Sequence, residues 1–171
     1  KNGVFLENSS KTDFKPGSEK YAEYKISAVD DKGYESFTSE PLAFGGNELI
    51  IELENFVFPS ILPYTNYLGR GFVDITTTKN TSIICKVIVP RAGSYLVDLR
   101  YSNGSGPWNT DNKCAIRSLF VNDAYAGVLV MPQRGKDEWS DWGFTNSRKV
   151  RLNAGENILK ISFEDWNNDM N

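Results

Sequence analysis

Short runs of alternating apolar and polar residues recur along the chain, and none of them sustains a helical period. Clusters of Gly, Pro, Asn and Asp separate the runs. Successive side chains of a strand point to opposite faces, so this pattern predicts an all-β sandwich or barrel. Ile83, Cys85, Val87 and Val89 share one face of a strand, and Pro90-Arg91-Ala92-Gly93 supplies the turn after it. The next strand has Tyr95, Val97, Leu99 and Tyr101 on one side and Leu96, Asp98 and Arg100 on the other. Near the end, Leu159, Ile161 and Phe163 alternate with Ile158, Lys160 and Ser162, introduced by the turn Asn153-Ala154-Gly155-Glu156-Asn157. Several strands carry apolar residues on the second face as well, which fits a sandwich whose outer face is partly covered or used.

A boundary falls near Phe44-Gly45-Gly46-Asn47. Before it, Tyr24–Val29 reads as a strand, Asp30-Asp31-Lys32-Gly33 as a tight hairpin turn and Tyr34–Leu42 as the return strand. The stretch YKISAVDDKGYESFTSEPL resembles the last strands of a fibronectin type III domain, and KNGVFLENSSKTDF looks like the preceding hairpin of that fold. The resemblance makes residues 1–44 the C-terminal strands of a neighbouring domain. The alternative is that these hairpins decorate the main domain.

Residues 47–171 contain, in order, ELIIELENF, YLGRGFVDI, SIICKVIVPRAGSYLVDLRYSNGSG, SLFVNDAYAGVLVMP, EWSDWGF and VRLNAGENILKISF. This series is similar to the family 6 and family 35 carbohydrate-binding modules, β-sandwich jelly rolls attached to glycoside hydrolases and related enzymes. Such modules close with a further strand after an Asn-containing loop. The resemblance therefore implies that residues 47–171 lack their closing strand.

Composition narrows the function. The net charge of −3 and the absence of a basic run longer than Arg148-Lys149 argue against a nucleic-acid partner. No stretch approaches the roughly 18 apolar residues of a membrane span. The chain has no histidine, which removes Ser-His-Asp and Cys-His catalysis and the commonest zinc ligand. Cys85 and Cys114 cannot form a four-thiolate site; they read as two buried thiols, with pairing as the alternative.

A sugar is recognised by flat apolar rings against its C–H faces and a few fixed polar groups for its hydroxyls. All four tryptophans are in or beside loops of the second domain. Trp108 sits in the polar loop NGSGPWNTDN, Trp139 and Trp142 in EWSDW, and Trp166 in the final loop. At one end of a sandwich these loops would line a cleft, with Asn109, Asp111, Asn112 and Asn171 as polar candidates. The resemblance places the EWSDW segment at the glycan-binding end. It also implies that one tryptophan of such a pair packs inward. Arg134 can pair with the carboxylate of a uronic acid.

Glu52 and Glu54 would be neighbours on one face of a strand, and adjacent carboxylates repel unless a cation lies between them. The resemblance assigns that Glu-x-Glu pair to a structural Ca2+ site; the alternative is an exposed edge strand with two solvated charges. The alternating Asp165, Asn167, Asp169 and Asn171 lack the Gly and the late Glu of a calcium loop, and read as a polar surface loop. Glu138 and Asp141 flank the tryptophans as a glycosidase pair would, but acidic residues beside aromatics are common in sugar-binding loops without hydrolysis. Asn8, Asn80 and Asn103 each open an Asn-x-Ser/Thr glycosylation pattern.

Taken together, these features point to a non-catalytic carbohydrate-binding module of a larger, extracytoplasmic carbohydrate-active enzyme. Its partners would be a poly- or oligosaccharide and the catalytic domain of the same polypeptide. The competing expectation is a structural spacer that binds nothing.

Overall fold

Strands form where the alternation is strict, and turn residues close their ends. The computed structural model describes residues 5–11, 21–39, 42–46, 48–105 and 114–168. The chain divides into two units, Lys1–Leu49 and Ile50–Asn171.

In the first unit, strands β1 (Tyr21–Tyr24) and β2 (Leu42–Gly45) pair antiparallel, with Tyr21 opposite Gly45. Of the strands expected at Tyr24–Val29 and Tyr34–Leu42, only the ends Tyr24 and Leu42 belong to this ladder, and Val29 and Glu35 form an isolated bridge near the tip. Towards the tip, serine hydroxyls take over from backbone carbonyls. Ser39 Oγ accepts the Ile26 amide at 3.0 Å and Ser36 Oγ the Ala28 amide at 2.9 Å. The Asp30–Gly33 turn closes as predicted: the Gly33 amide donates to Asp30 O, and Asp30 Oδ1 accepts the amides of Lys32 and Tyr34. Gly33 has φ +85°, which only glycine adopts freely. Of the earlier hairpin expected over residues 1–14, residues 5–11 are described and contain no strand, contrary to that expectation.

The second unit is an all-β sandwich of jelly-roll type, as its alternation predicts. Its strands are β3 (Ser82–Val89), β4 (Gly93–Val97), β5 (Arg100–Tyr101), β6 (Ala115–Val121), β7 (Ala124–Met131), β8 (Gly143–Phe144), β9 (Arg148–Leu152) and β10 (Gly155–Ser162). A short helix α1 (Asp165–Asn168) follows. One layer is a four-stranded antiparallel sheet in the order β3-β10-β6-β7; the other is built from the pairs β4-β9 and β5-β8. Between them lie Ile83, Cys85, Val87 and Val89 of β3, Leu119 and Val121 of β6, Leu129 of β7, Leu159 and Ile161 of β10, and Val150 and Leu152 of β9. Each such side chain contributes about 1.5–3 kcal/mol by leaving water. Cys85 belongs to this core, and burial pushes its thiol up to about 11. Both cysteines are free; Cys85 is buried as expected, whereas Cys114 is only half-buried.

Two expected strands differ from the prediction. The run Tyr95–Tyr101 is divided between β4 and β5, because the partner chain changes there from β9 to β8. Thr145 bridges the break, its amide donating to Leu99 O at 2.9 Å and its hydroxyl accepting the Leu99 amide at 3.0 Å. The expected strand through Glu52 and Glu54 instead ends in a 3₁₀ turn at Leu53–Asn55. There the amides of Asn55 and Phe56 bond back to Glu52 O and Leu53 O, which closes a turn rather than extending a ladder. Ile51, Leu53 and Val57 still pack against the core.

The antiparallel order fixes which loops share an end. β6 begins, and β7 and β10 end, on the same side of the four-stranded sheet. The loop before β6, the loop after β7 and the segment after β10 therefore all emerge there. The last two of these segments hold the Trp139/Trp142 pair and Trp166.

Candidate functional site: an aromatic cluster at the loop end

The loop from Pro132 to Trp142 is strapped to Tyr101 at the end of β5 and to the non-strand segment Ser102–Ser105 after it. Tyr101 Oη donates to Pro132 O at 3.1 Å, the Arg134 amide to Asn103 O at 2.8 Å and the Asp137 amide to Gly104 O at 3.0 Å. Ser102 Oγ donates to Glu138 O at 3.2 Å. The approach is close enough that Gly104 tolerates no side chain. A Cβ there would lie 2.7 Å from the Glu138 backbone nitrogen and 2.9 Å from Trp139 Cδ1. Gly104→Ala is therefore expected to push the loop off its strap and cost about 1–3 kcal/mol. Thermal unfolding and the near-UV circular dichroism of the tryptophans would check this; an unchanged spectrum would contradict it. The strap also settles one glycosylation pattern. Asn103 is buried and its Nδ2 donates to Met131 O at 2.8 Å, so it is not an acceptor in the folded domain.

On this scaffold Trp139 and Trp142 are both half-buried, and both pack on the segment Tyr64–Phe72. Trp139 stacks on Tyr64 with ring centres 5.6 Å apart and planes 13° apart. Trp142 meets Phe72 edge-on at 5.5 Å, and its Nε1 donates to Thr65 O at 2.7 Å. Phe72 also contacts Tyr64 and Tyr67. Arg100 places its guanidinium 5.4 Å from the Trp142 ring centre while donating to Asn66 O at 3.1 Å. Ser140 closes the junction by accepting the Thr65 amide at 2.9 Å. Tyr64, Tyr67, Phe72 and Arg100 are the members that sequence reasoning missed. Their signal was present as tyrosines within the Gly-bearing run YTNYLGRGF.

Arg134 faces its own loop. Its Nε lies 3.2 Å from Asp141 Oδ2 and its Nη2 donates to Asp141 Oδ1 at 3.2 Å, an ion pair with one hydrogen bond. The guanidinium sits 6.0 Å from the Tyr101 ring centre and fills the space a side chain at Gly143 would need. The hydrogen bond it donates to Asp141 is the main cause that raises Arg134 above its ordinary value. A ligand carboxylate would have to compete with Asp141 for this guanidinium. Asp141 itself is engaged, and Glu138 is exposed three residues before it.

Trp166 is not part of the stack. It lies on α1, and its Nε1 donates to Ser118 Oγ at 2.9 Å. Trp108, Asn109, Asp111, Asn112 and Asn171 lie outside the described residues.

Glu52 and Glu54 remain neighbours although they are not on a strand. Desolvation first, and then the nearby Glu54 carboxylate, raise Glu52 above its ordinary value, with Arg70 opposing. Gly69, at φ +71°, abuts Glu52; a Cβ there would fall 2.5 Å from Glu52 Oε1. Glu54 Oε1 is buried without a hydrogen-bond partner. Among the described residues, no group of three or more His, Cys, Asp or Glu side chains is placed to hold a metal.

No family model matches the chain. An isomaltosyltransferase of Sporosarcina globispora is 32% identical over 123 residues, which cover 70% of this chain and 10% of that protein. The chain thus spans about a tenth of the length of the curated relative it matches. A cycloisomaltooligosaccharide glucanotransferase of Paenibacillus sp., solved with cycloisomaltoheptaose, matches with a TM-score of 0.50 and 27% identity. That match covers 61% of this chain and 14% of the glucanotransferase. A family 35 carbohydrate-binding module from an environmental isolate is 25% identical at a TM-score of 0.48, covering 58% of this chain and 66% of that one.

Proposed function

We propose that residues 50–171 form a non-catalytic carbohydrate-binding module of a larger extracytoplasmic carbohydrate-active enzyme, and that the glycan binds at the loop end. The observation that carries the reading is the cluster of Tyr64, Tyr67, Trp139 and Trp142 on one end of a β-sandwich. Tyr67 keeps 40% of its surface exposed, and the stacked Tyr64–Trp139 pair is only half-buried. Amphipathic rings with open faces suit the C–H faces of a pyranose. Trp108, Asn109, Asp111, Asn112 and Asn171 enter as further candidates on sequence grounds, and the catalytic domain of the same polypeptide as the neighbour. The first unit is read, on its sequence resemblance, as the end of a fibronectin type III-like segment.

For the ligand, we favour a neutral α-1,6-linked glucan over a uronic acid. Two lines support this. Two relatives that each match more than half of this chain are named for isomaltosyl transfer or solved with an isomaltose-type ring. Arg134, the residue suited to a uronate, is already paired with Asp141. Calorimetric titration with isomaltooligosaccharides, maltooligosaccharides and glucuronic acid tests it. Binding is expected for the first series at dissociation constants of about 10 μM to 1 mM, which correspond to roughly 4–7 kcal/mol. Silence across the whole panel would leave the spacer reading in its place.

We further propose that Glu52 and Glu54 hold a structural Ca2+. Two adjacent carboxylates, one with a buried unpartnered oxygen, would supply part of the set of about six to eight oxygens that such a cation takes.

A further inference from the structure

Among the described residues, the buried polar side chains are asparagines, serines, a glutamine and a threonine, with one exception. Arg117 of β6 is 3% exposed, and no buried Asp or Glu accompanies it. A buried charge is ordinarily paired, because a lone ion loses far more on leaving water than packing returns.

Strand geometry explains how this side chain came inside. Arg117 precedes Leu119 by two residues on β6 and so shares its inward face. Ser162 of β10 stands opposite Ser118, which puts Phe163 opposite Arg117. The Phe163 amide donates to Thr81 O at 2.7 Å, so the ladder with the chain before β3 carries on through it. Its ring centre lies 5.0 Å from the guanidinium carbon. The two residues thus meet in the interior of the sandwich at its loop end, where β6 begins and β10 ends.

The guanidinium is incompletely satisfied there. Nη1 donates to Ile116 O at 2.7 Å, whereas Nε is buried without a hydrogen-bond partner. Burial alone lowers Arg117 below its ordinary value, with no neighbouring charge acting on it. A guanidinium keeps its proton even so. The Phe163 face offsets part of the cost, but a ring quadrupole leaves the net charge in place.

We propose that Arg117 seats a small monovalent anion, chloride or one of similar size, inside the loop end of the sandwich as the counter-charge to its guanidinium. Charge sets the valence: one cation is balanced by one negative charge, and a divalent oxyanion would leave an excess buried. Burial sets the size. At 3% exposure no sugar ring or peptide lies against Arg117, so the anion is neither a carboxylate carried on a glycan nor an acidic segment of a partner protein. Donor geometry sets the place. Nε and Nη2 share one edge of the planar fork, and an anion on that edge accepts from both. The inference holds whether or not the loop end binds a glycan.

The test is thermal unfolding of the whole chain at neutral pH and constant ionic strength, with sodium chloride exchanged stepwise for the sodium salt of MES, a sulfonate too bulky for the site. The melting temperature of the second unit is expected to rise saturably with chloride, by about 5–10 °C. Arg117→Met keeps a stem against Phe163 and removes the charge. Its melting temperature should not respond to the exchange, and in MES alone it should equal or exceed that of the parent. Equal melting of the parent in both salts, or a Met variant that follows chloride as the parent does, overturns the proposal. If the Met variant does not fold, crystals of the parent soaked in sodium bromide decide the matter. An anomalous peak within hydrogen-bond distance of Arg117 Nε is expected. A water, or a carboxylate of the chain itself, in that place makes the proposal wrong.

Discussion

Trp142→Ala is expected to lower the stability of the second unit by about 3 kcal/mol and to abolish oligosaccharide binding at the loop end. The side chain joins two loops far apart in sequence. Its Nε1 donates to Thr65 O at 2.7 Å, its ring meets Phe72 edge-on and the Arg100 guanidinium lies over it. Alanine removes all three contacts and leaves the Thr65–Ser140 junction without its packing. Trp142→Phe separates the roles. It keeps a ring against Phe72 and Arg100 but loses the N–H, so a stability loss of only about 1 kcal/mol is expected. If the cluster positions Tyr64 and Trp139 for the sugar, the Phe variant retains most binding and the Ala variant none. Thermal unfolding paired with calorimetry reads both quantities. An Ala variant that binds as tightly as the parent would remove the loop end from consideration.

Calcium is expected to raise the melting temperature of the chelated protein by about 10 °C at neutral pH. Saturation at about a hundredfold over the dissociation constant stabilises by roughly 2.7 kcal/mol, and a domain of this size shifts by about 4 °C per kcal/mol. The physical source is the pair Glu52 and Glu54. Without a cation, desolvation and the neighbouring carboxylate raise Glu52, so the folded state binds a proton more tightly than the unfolded chain. That contribution is fully present below the ordinary glutamate pKa and disappears as pH rises through the raised value. A cation acts in the opposite range, because it needs the ionised pair. The calcium-induced shift should therefore shrink on acidification. Glu52→Gln should stabilise the chelated protein at pH 7 and be insensitive to calcium. Equal melting temperatures in calcium and in chelator would defeat the assignment.

How much of this was legible beforehand differs from element to element. The β3 face, Ile83, Cys85, Val87 and Val89, could be read directly, because strict alternation on a strand with one buried face has a single solution. The same holds for Leu159 and Ile161 of β10, and for the turn at Asp30–Gly33, where Asp and Gly act through local chemistry. Glu52 and Glu54 misled, because alternation alone does not say whether a partner strand is there to keep a segment extended. The 3₁₀ turn at Leu53–Asn55 is decided by hydrogen bonds that close locally. The Tyr95–Tyr101 run was divided for a related reason, a change of partner between β9 and β8.

By itself the chain determined its fold class. Alternating strands without helical periods specify a sandwich, and the absence of histidine together with loop-borne tryptophans favours recognition over catalysis. Only the tertiary structure decided which aromatics meet. Trp139 and Trp142 found Tyr64 and Phe72 across more than half the domain, whereas Trp166 was carried by α1 onto Ser118 and the face of the sheet. Pattern is a property of neighbouring residues, and the chain displays it openly. A site is a set of contacts between distant ones, and strand order and register alone bring those together.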